Sequence, residues 1–283
     1  MRLWQYFFVG LVLVATTGCS PLVLVNGLSP SAHYDLKSDL AYGSHARQTL
    51  DVYTPHSVDG ASPMIVFFYG GGWREGSKDN YRFVASSLTD AGYVVVIPDY
   101  RVFPEVVFPE FVDDGAEAVA WALQHASEYG ADSNEVFLMG HSAGAHIAAM
   151  LITDQRFLAK HDIDTGNLRG FVGLSGPYNF LPIESGYLLD VFPENNRDAS
   201  QPINFVTATT PPALLIHGTG DELVFPSNSE TMARRLAEHG VDVTLKLYKG
   251  VGHAKVAVEL SPPLDFTGDT LTDTLEFLRL KTL

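Results

Sequence analysis

The segment Gly140-His141-Ser142-Ala143-Gly144 constrains this chain more than any other, because its pattern is typical of a tight strand-to-helix turn. The apolar run before it, residues 135–139, predicts a short buried strand, and residues 145–152 predict a helix. A serine at such a turn is forced outward above the sheet, and glycines flank it because a Cβ would clash. The new helix also directs its first N–H groups and positive dipole end at the turn. The pattern therefore predicts a nucleophilic Ser142, and a serine-capped helix start is the structural alternative.

Two further residues complete the pattern that a serine nucleophile requires. A serine hydroxyl is weakly nucleophilic, so it needs a base and an acid that orients the base. An apolar strand predicted at 212–217 leads into a loop with Asp221, and an alternating strand predicted at 243–248 leads into a loop with His253. The order serine, acid, histidine is one of the orders in which such triads occur. We predict that Ser142, Asp221 and His253 form a catalytic triad.

Other polar residues near these positions leave some alternatives open. Glu222 is an alternative acid, but Asp221 is favoured because it directly follows a Gly-Thr-Gly turn. His217 ends a predicted strand, so we expect a structural role for it, bracing the acid loop. His141 and His146 are five residues apart and do not share a helix face. No metal pair is therefore expected there.

A glycine-rich segment supplies the candidate oxyanion hole. The predicted buried strand at 64–68 is followed by Tyr69-Gly70-Gly71-Gly72-Trp73. Consecutive glycines leave backbone N–H groups uncovered, and such aligned donors stabilise a developing oxyanion by about 2.7–4 kcal/mol each. We predict the N–H groups of Gly71, Gly72 and Ala143 as these donors. A flexible turn is the alternative, whereas the spacing does not fit a dinucleotide fingerprint or a P-loop.

Taken together, these segments resemble those of α/β-hydrolase-fold carboxylesterases of the His-Gly-Gly-Gly type. That group includes hormone-sensitive-lipase-like esterases and the related feruloyl or acetyl-xylan esterase-like and kynurenine-formamidase-like enzymes. The resemblance covers residues 45–280. Its matching segments are 50–55, 69–73, 98–101, 108–109, 113–114, 140–146, 217–218, 221–224 and 252–253.

The resemblance implies a serine carboxylic-ester hydrolase that acts on small, short-acyl esters through an acyl-enzyme. It implies no metal and no organic cofactor. An amidase, formamidase or peptidase with the same triad is the first alternative, and a non-catalytic binding module of the cell envelope is the second. By position, the resemblance also suggests Tyr69, Trp73, Tyr178 and Val224 as substrate-pocket residues.

The chain departs from the family pattern at two positions. Tyr69 stands where the motif usually has histidine, so the glycine loop must be braced differently. His141 precedes the nucleophile, where the hormone-sensitive-lipase branch typically has an acidic residue. The chain therefore resembles the formamidase-like and feruloyl-esterase-like branch more closely.

The order of predicted elements indicates the fold class. Strands and helices alternate along the chain, which predicts an α/β fold with a mostly parallel central sheet and helices on both faces. Ligands then bind at the carboxyl ends of the strands. Residues 176–210 do not fit this alternation, and by the resemblance we expect a small cap insertion there. Two interpretations of its aromatic residues stay open: they line an acyl or alcohol pocket, or they form a satellite core. The predicted strands are 48–54, 64–69, 93–98, 135–139, 170–174, 212–217 and 243–248, and the predicted helices are 80–91, 111–129, 145–152, 229–239 and 268–281.

The N-terminus has the features of an export signal. Arg2 is followed by an apolar run at 3–15, which is shorter than the roughly 20 residues of a transmembrane helix. Small residues then lead to Cys19, the single cysteine of the chain, in a pattern that resembles a bacterial lipoprotein box. We predict a signal peptide at 1–18, a lipidated Cys19 that anchors the protein to a membrane, and a tether over 19–32. Plain secretion and an uncleaved anchor are the alternatives.

Charge and length limit the remaining possibilities. The 283 residues, 46% of them hydrophobic, suffice for one α/β-hydrolase domain, which we place at 33–283. The net charge of −15 argues against nucleic acid as a partner, because phosphate binding needs a basic surface. We expect a small-molecule ester as substrate and an exported, lipid-anchored location in the bacterial envelope. Ser20 after the cysteine suits the outer membrane. The oligomeric state is left open.

Overall fold

The computed structural model describes residues 25–27, 33–56, 60–184, 186–261 and 269–282. The expected signal peptide and Cys19 lie outside these ranges. Within them the core is an eight-stranded sheet with the order β1-β2-β4-β3-β5-β6-β7-β8. The strands are β1 (Tyr34–Ala41), β2 (Thr49–Pro55), β3 (Ser62–Phe68), β4 (Val94–Pro98), β5 (Ala131–His141), β6 (Gly170–Leu174), β7 (Ala213–Gly218) and β8 (Val243–Tyr248).

Six of the eight strands, β3 to β8, pair in parallel. The other two, β1 and β2, pair antiparallel at one side of the sheet. The residues of β3, β4, β6 and β7, and those of β5 from Val136 onward, are almost all buried because both faces of these strands are covered. This is the continuous apolar pattern expected of parallel strands in an α/β protein. The predicted fold class is confirmed.

The described helices are α1 (Arg82–Asp90), α2 (Glu110–His125), α3 (Ala143–Thr153), α4 (Arg156–Ala159), α5 (Gly186–Val191), α6 (Ser227–Glu238), α7 (His253–Val258) and α8 (Thr270–Lys281). In the sheet, β4 lies on one side of β3, and β5 to β8 follow in sequence on its other side. Right-handed crossovers therefore place α1 on one face and α3 and α6 on the other, and α2 packs beside α3. None of these helices has the length and apolar character needed to cross a bilayer.

Two features of the fold differ from the sequence-based predictions. β1 was not predicted, because most of its residues are exposed and it lacks an apolar run. His253 was expected in a loop, but it is the first residue of α7. The apolar stripe of that short helix begins only at Val256, so nothing in the local sequence marks its start.

Part of the expected tether packs against the domain. Val25 is buried in the core, and the side chain of Asn26 accepts a hydrogen bond from the N–H of Phe83. The same side chain donates to the carbonyl of Asp79. Residues 25–27 therefore lie against the start of α1, which shortens the tether that was predicted over 19–32.

The expected cap insertion, 176–210, is built from short pieces. It contains α5 and three single 3-10 turns at Glu194–Asn196, Asp198–Ser200 and Pro202–Phe205. Val191 and Phe192 are fully buried, and Leu189 at the other side of α5 is exposed. Phe192 packs against the rings of Trp73, Phe108 and Phe111, so the insertion shares the core of the domain. The hydroxyl of Tyr187, on α5, lies 2.7 Å from where a Cβ on Gly72 would be, which places α5 beside the glycine loop.

The close approach of α3 to β3 requires glycine at position 144. A Cβ at Gly144 would lie 2.1 Å from the carbonyl oxygen of Phe68, which is backbone and has no room to move. We expect Gly144→Ala to lower the free energy of unfolding by about 1–3 kcal/mol, the usual cost of overpacking. Urea denaturation measures this change. Gly186→Ala is the matched control, because a Cβ there meets nothing within 4 Å. Equal stability of the two variants would contradict the packing argument.

Candidate active site

Ser142 occupies the turn between β5 and α3 in a strained backbone conformation. Its φ is 55° and its ψ is −123°, a region that residues with a Cβ rarely adopt. Strain of this kind costs of order 1–3 kcal/mol and persists only where the surroundings enforce it. Here the N–H of Ser142 donates to the carbonyl of Leu174 at 2.9 Å, and the N–H of His146 donates to the Ser142 carbonyl at 3.1 Å. The turn is thus held from β6 and from α3.

The three predicted triad residues meet at the carboxyl edge of the sheet. Ser142 Oγ lies 2.8 Å from His253 Nε2, and His253 Nδ1 lies 2.7 Å from Asp221 Oδ2. Both distances suit hydrogen bonds. Glu222, the alternative acid, is exposed and takes no part in this line of contacts. The geometry allows the imidazole to accept the serine proton while the carboxylate holds the other ring nitrogen.

The acid loop fixes Asp221 from several sides. Its Oδ1 accepts the N–H groups of Leu223 and Val224 at 3.0 and 2.9 Å. His217 Nε2 lies 3.2 Å from Asp221 Oδ2 and 2.8 Å from the Val224 carbonyl, and its Nδ1 bonds Ser229 Oγ at 2.7 Å. His217 therefore braces the acid loop, as the sequence predicts.

These contacts keep the carboxylate ionised. Burial alone would raise the pKa of Asp221, but the hydrogen bonds from His217, His253 and the Val224 N–H outweigh it. The result is a pKa well below the ordinary range. An acid that stays charged can stabilise an imidazolium beside it, which is the part the triad requires.

The glycine loop lies directly against Ser142. A Cβ on Gly70 would fall 2.9 Å from Ser142 Cβ, so only glycine fits there. Among the described residues, the N–H groups of Gly71, Gly72 and Ala143 have no hydrogen-bond acceptor. Free donors beside a nucleophile are what an oxyanion hole needs.

Tyr69 braces the glycine loop in place of the usual histidine, and the expectation that it lines a substrate pocket is wrong. Its side chain is fully buried, and its hydroxyl donates to Asp99 Oδ1 at 2.7 Å. Arg47 donates to the same hydroxyl at 2.9 Å and also to the carbonyl of Gly76 at 3.0 Å. The ring stacks on Tyr100 with centroids 4.8 Å apart. Tyr69 therefore points away from the triad, into a polar cluster that holds the loop from behind.

The other proposed pocket residues have different surroundings. Tyr178 is fully buried against Phe171, below the edge of the sheet, so the structure corrects this prediction too. Trp73 is 4% exposed and belongs to an aromatic cluster behind the glycine loop. Val224 is half-buried beside the triad acid. Only Trp73 and Val224 therefore stay close to the site. The rings that surround Trp73 are those of Phe111, His146, Phe180 and Phe192.

Sequence reasoning missed the bracing pair Arg47 and Asp99. Asp99 lies in segment 98–101, which matches the family pattern, so the sequence did contain a signal that this residue is important. Arg47 lies in a loop before β2 with no motif around it. Its guanidinium also donates to the carbonyl of Tyr100 at 2.8 Å, which joins the segment after β4 to the glycine loop.

Residues 50–236 match the model of the BD-FAE family. The chain belongs to the BD-FAE family. This agrees with the resemblance to carboxylesterases with the α/β-hydrolase fold. The matched range covers the nucleophile turn, the glycine loop and the acid, and it stops before His253.

Relatives and solved structures give the same picture. A probable isoprenylcysteine alpha-carbonyl methylesterase of Arabidopsis thaliana is 28% identical over 290 residues, which cover 92% of this chain and 61% of the relative. The chain thus spans less than two thirds of that relative's length. The kynurenine formamidase of Danio rerio is 33% identical, covering 53% of this chain and 49% of the relative.

Two solved structures superpose well on this fold. An α/β-hydrolase enzyme from a deep-sea metagenome library has a TM-score of 0.71 at 19% identity, covering 88% of this chain and 98% of the other. Esterase 2 of Thermogutta terrifontis, phosphoramylated by tabun, has a TM-score of 0.69 at 25% identity, covering 89% and 93%.

The depressed pKa of Asp221 gives a stability prediction with a definite sign. The unfolded chain takes up a proton near the ordinary aspartate value of about 4, before the folded protein does. The ionised carboxylate therefore stabilises the fold fully above that pH, and its contribution is lost as the pH falls further toward the folded value. We expect the difference in unfolding free energy between wild type and Asp221→Asn to shrink between pH 5 and pH 3.

Urea unfolding at pH 7, 5 and 3 measures this difference. Asp90→Asn, at an exposed residue that ends α1, is the control and is expected to show a small, constant difference. A wild-type advantage over Asp221→Asn that stays the same down to pH 3 would contradict the assignment.

Proposed function

We propose that this protein is a serine carboxylic-ester hydrolase that uses Ser142, His253 and Asp221 as its triad. The observation that carries the proposal is the continuous line of hydrogen bonds from Ser142 Oγ through His253 to Asp221, at 2.8 and 2.7 Å. The esterase names of the relatives and of the tabun-modified Thermogutta enzyme support it.

The reaction follows from the geometry. Ser142 Oγ attacks the ester carbonyl while His253 Nε2 takes its proton, and Asp221 stabilises the imidazolium. The carbonyl oxygen becomes an oxyanion that accepts hydrogen bonds from the N–H groups of Gly71, Gly72 and Ala143. His253 then protonates the leaving alcohol, and water repeats the two steps on the acyl-enzyme. These steps need no cofactor.

We propose small esters with short acyl groups as substrates. The aromatic rings behind the glycine loop are closely packed, with Trp73 and Phe192 4.8 Å apart and both buried. That packing leaves little room for a long chain on this side of Ser142. An activity maximum on long-chain triglycerides would contradict the short-acyl proposal.

The second candidate is an amidase or formamidase with the same triad. The similarity to a kynurenine formamidase favours it. The triad serves both reactions, since the leaving group alone differs. Comparing aryl esters with N-formyl and anilide substrates separates the two.

The decisive experiment compares the full chain, purified in detergent, with its Ser142→Ala variant on p-nitrophenyl esters from acetate to laurate. We expect the wild type to hydrolyse the short esters and the variant to lose at least about 10³-fold in kcat, because no nucleophile remains. Ser127→Ala, at an exposed serine in the turn after α2, is the matched control and should keep full activity.

A Ser142→Ala variant with full activity would overturn the proposed nucleophile. A wild type that neither hydrolyses esters or amides nor reacts with an organophosphonate probe would favour the binding-module alternative.

We also propose that the protein is exported and anchored in the bacterial envelope by a lipid on Cys19. The apolar run at 3–15 followed by a single cysteine supports this. Each acyl CH₂ buried in a bilayer contributes about 0.8 kcal/mol, so two or more chains hold a protein firmly. Cys19→Ser cannot take the lipid. In a Gram-negative host we therefore expect the wild type in the membrane fraction and Cys19→Ser in the soluble fraction, with Ser20→Ala unchanged as control.

Two other results would overturn the lipid anchor. A Cys19→Ser variant that stays in the membrane fraction would point to the apolar run as an uncleaved anchor. A wild type found entirely in the soluble fraction would indicate plain secretion.

A further inference from the structure

The residue before the nucleophile, His141, is buried at the point where three parts of the site meet. Its ring lies beside the ring of His253, with centroids 4.9 Å apart. A Cβ on Gly70 would come within 3.0 Å of His141 Nδ1, so the glycine loop packs against the same ring. The triad reaction does not use His141.

Both ring nitrogens of His141 have partners, and these partners fix its tautomer. Nε2 lies 3.2 Å from the carbonyl oxygen of His253, which can only accept, so Nε2 carries the hydrogen. Nδ1 is then an acceptor, and the hydroxyl of Tyr81 lies 3.3 Å from it. The Tyr81 oxygen in turn accepts the N–H of Gly70 at 3.3 Å.

The hydrogen bonds therefore all run in one direction. The Gly70 N–H donates to Tyr81, the Tyr81 hydroxyl donates to His141, and His141 donates to the main chain of His253. The chain begins on the glycine loop and ends on the backbone of the histidine that contacts Ser142. Each bond is long and individually modest, but together they connect two parts of the site that are far apart in sequence.

The surroundings keep this arrangement in a single state. Burial, with the neighbouring His253, lowers the pKa of His141 to about 3, so the ring stays neutral at physiological pH. Tyr81 is held in turn by ring contacts to Phe67 at 5.4 Å and Tyr69 at 5.9 Å. A neutral ring also adds no positive charge beside His253 when that residue takes a proton.

We propose that His141 and Tyr81 are positioning residues that set the distance between the glycine loop and His253, and so hold the oxyanion donors and the base in register around Ser142. The inference rests on the proposed function, because this register matters only if Ser142 is the nucleophile that attacks the substrate carbonyl. Neither residue touches the substrate. Misplacement of a catalytic group by about 1 Å can cost on the order of 100-fold in rate, so such a device affects turnover rather than binding.

Three variants separate positioning from packing. His141→Leu keeps an apolar side chain of similar bulk and removes both hydrogen bonds. His141→Gln retains an acceptor and a donor at similar spacing. Tyr81→Phe removes only the central hydroxyl. Tyr34→Phe is the matched control, because Tyr34 is a buried tyrosine on β1 whose hydroxyl has no hydrogen-bond partner among the described residues.

Kinetics of the full chain on the best p-nitrophenyl ester give the main readout, with kcat normalised to sites titrated by an organophosphonate. We expect His141→Leu and Tyr81→Phe to lose about 10- to 100-fold in kcat with KM within about twofold, and His141→Gln to recover most of the loss. Tyr34→Phe should match the wild type. Equal kcat in wild type, His141→Leu and Tyr81→Phe, or a loss that appears only in KM, would overturn the proposal.

A second measurement does not depend on activity. Nitrogen NMR of histidine-labelled protein should show His141 neutral with its hydrogen on Nε2 from pH 5 to 8, and Tyr81→Phe should shift the resonances of both His141 and His253. A charged ring, or a hydrogen on Nδ1, would overturn the hydrogen-bond chain. If the wild type has no hydrolase activity but these signals are as expected, the proposed function fails while the chain of hydrogen bonds stands.

Discussion

The close contact between the start of α3 and the end of β3 is the constraint on which the rest of the site depends. A Cβ at Gly144 would lie 2.1 Å from the Phe68 carbonyl oxygen, and one at Gly140 would lie 2.5 Å from the backbone of Gly144. Because both positions are glycine and carry no side chain, the helix can start directly above the sheet. Ser142 is thereby raised into a strained turn, and the glycine loop that follows β3 is brought against it. Both the nucleophile and its oxyanion donors owe their position to this one contact.

The polar residues around the site hold its parts rather than act on a substrate. Arg47, Tyr69 and Asp99 fix the glycine loop from behind, and His217 fixes the acid loop. Burial lowers the pKa of His146 to about 4, and its Nε2 donates to the carbonyl of Ser200 in the cap at 2.8 Å. Arg47, Tyr69, Asp99 and His217 are paired in these contacts, because an unpaired buried polar group would cost free energy. His253 differs from these bracing residues, because its Nε2 lies 2.8 Å from Ser142 Oγ and can exchange a proton with it.

Histidines therefore serve four separate purposes within a short distance of one another. His253 contacts Ser142, His217 braces the acid, His141 joins the glycine loop to the base, and His146 ties α3 to the cap. Their neighbours separate these roles, since burial keeps His141 and His146 neutral while an ionised Asp221 faces His253 and His217. The same side chain thus acts as base or as brace according to its surroundings.

The sequence by itself determined the fold class and the order along the chain of the strands and helices around the parallel sheet, because apolar periodicity is a local property. It also determined the triad candidates, because the glycines and polar residues that mark them follow directly after predicted strands. It also placed Ser142, Asp221 and His253 after strands, and parallel strands end at one edge. Only the tertiary structure decided that Tyr69 and Tyr178 face away from the site, that β1 joins the sheet, and that Arg47 braces a loop 22 residues further along the chain. Those outcomes depend on which buried polar group finds a partner across long sequence separations, and no local pattern records that.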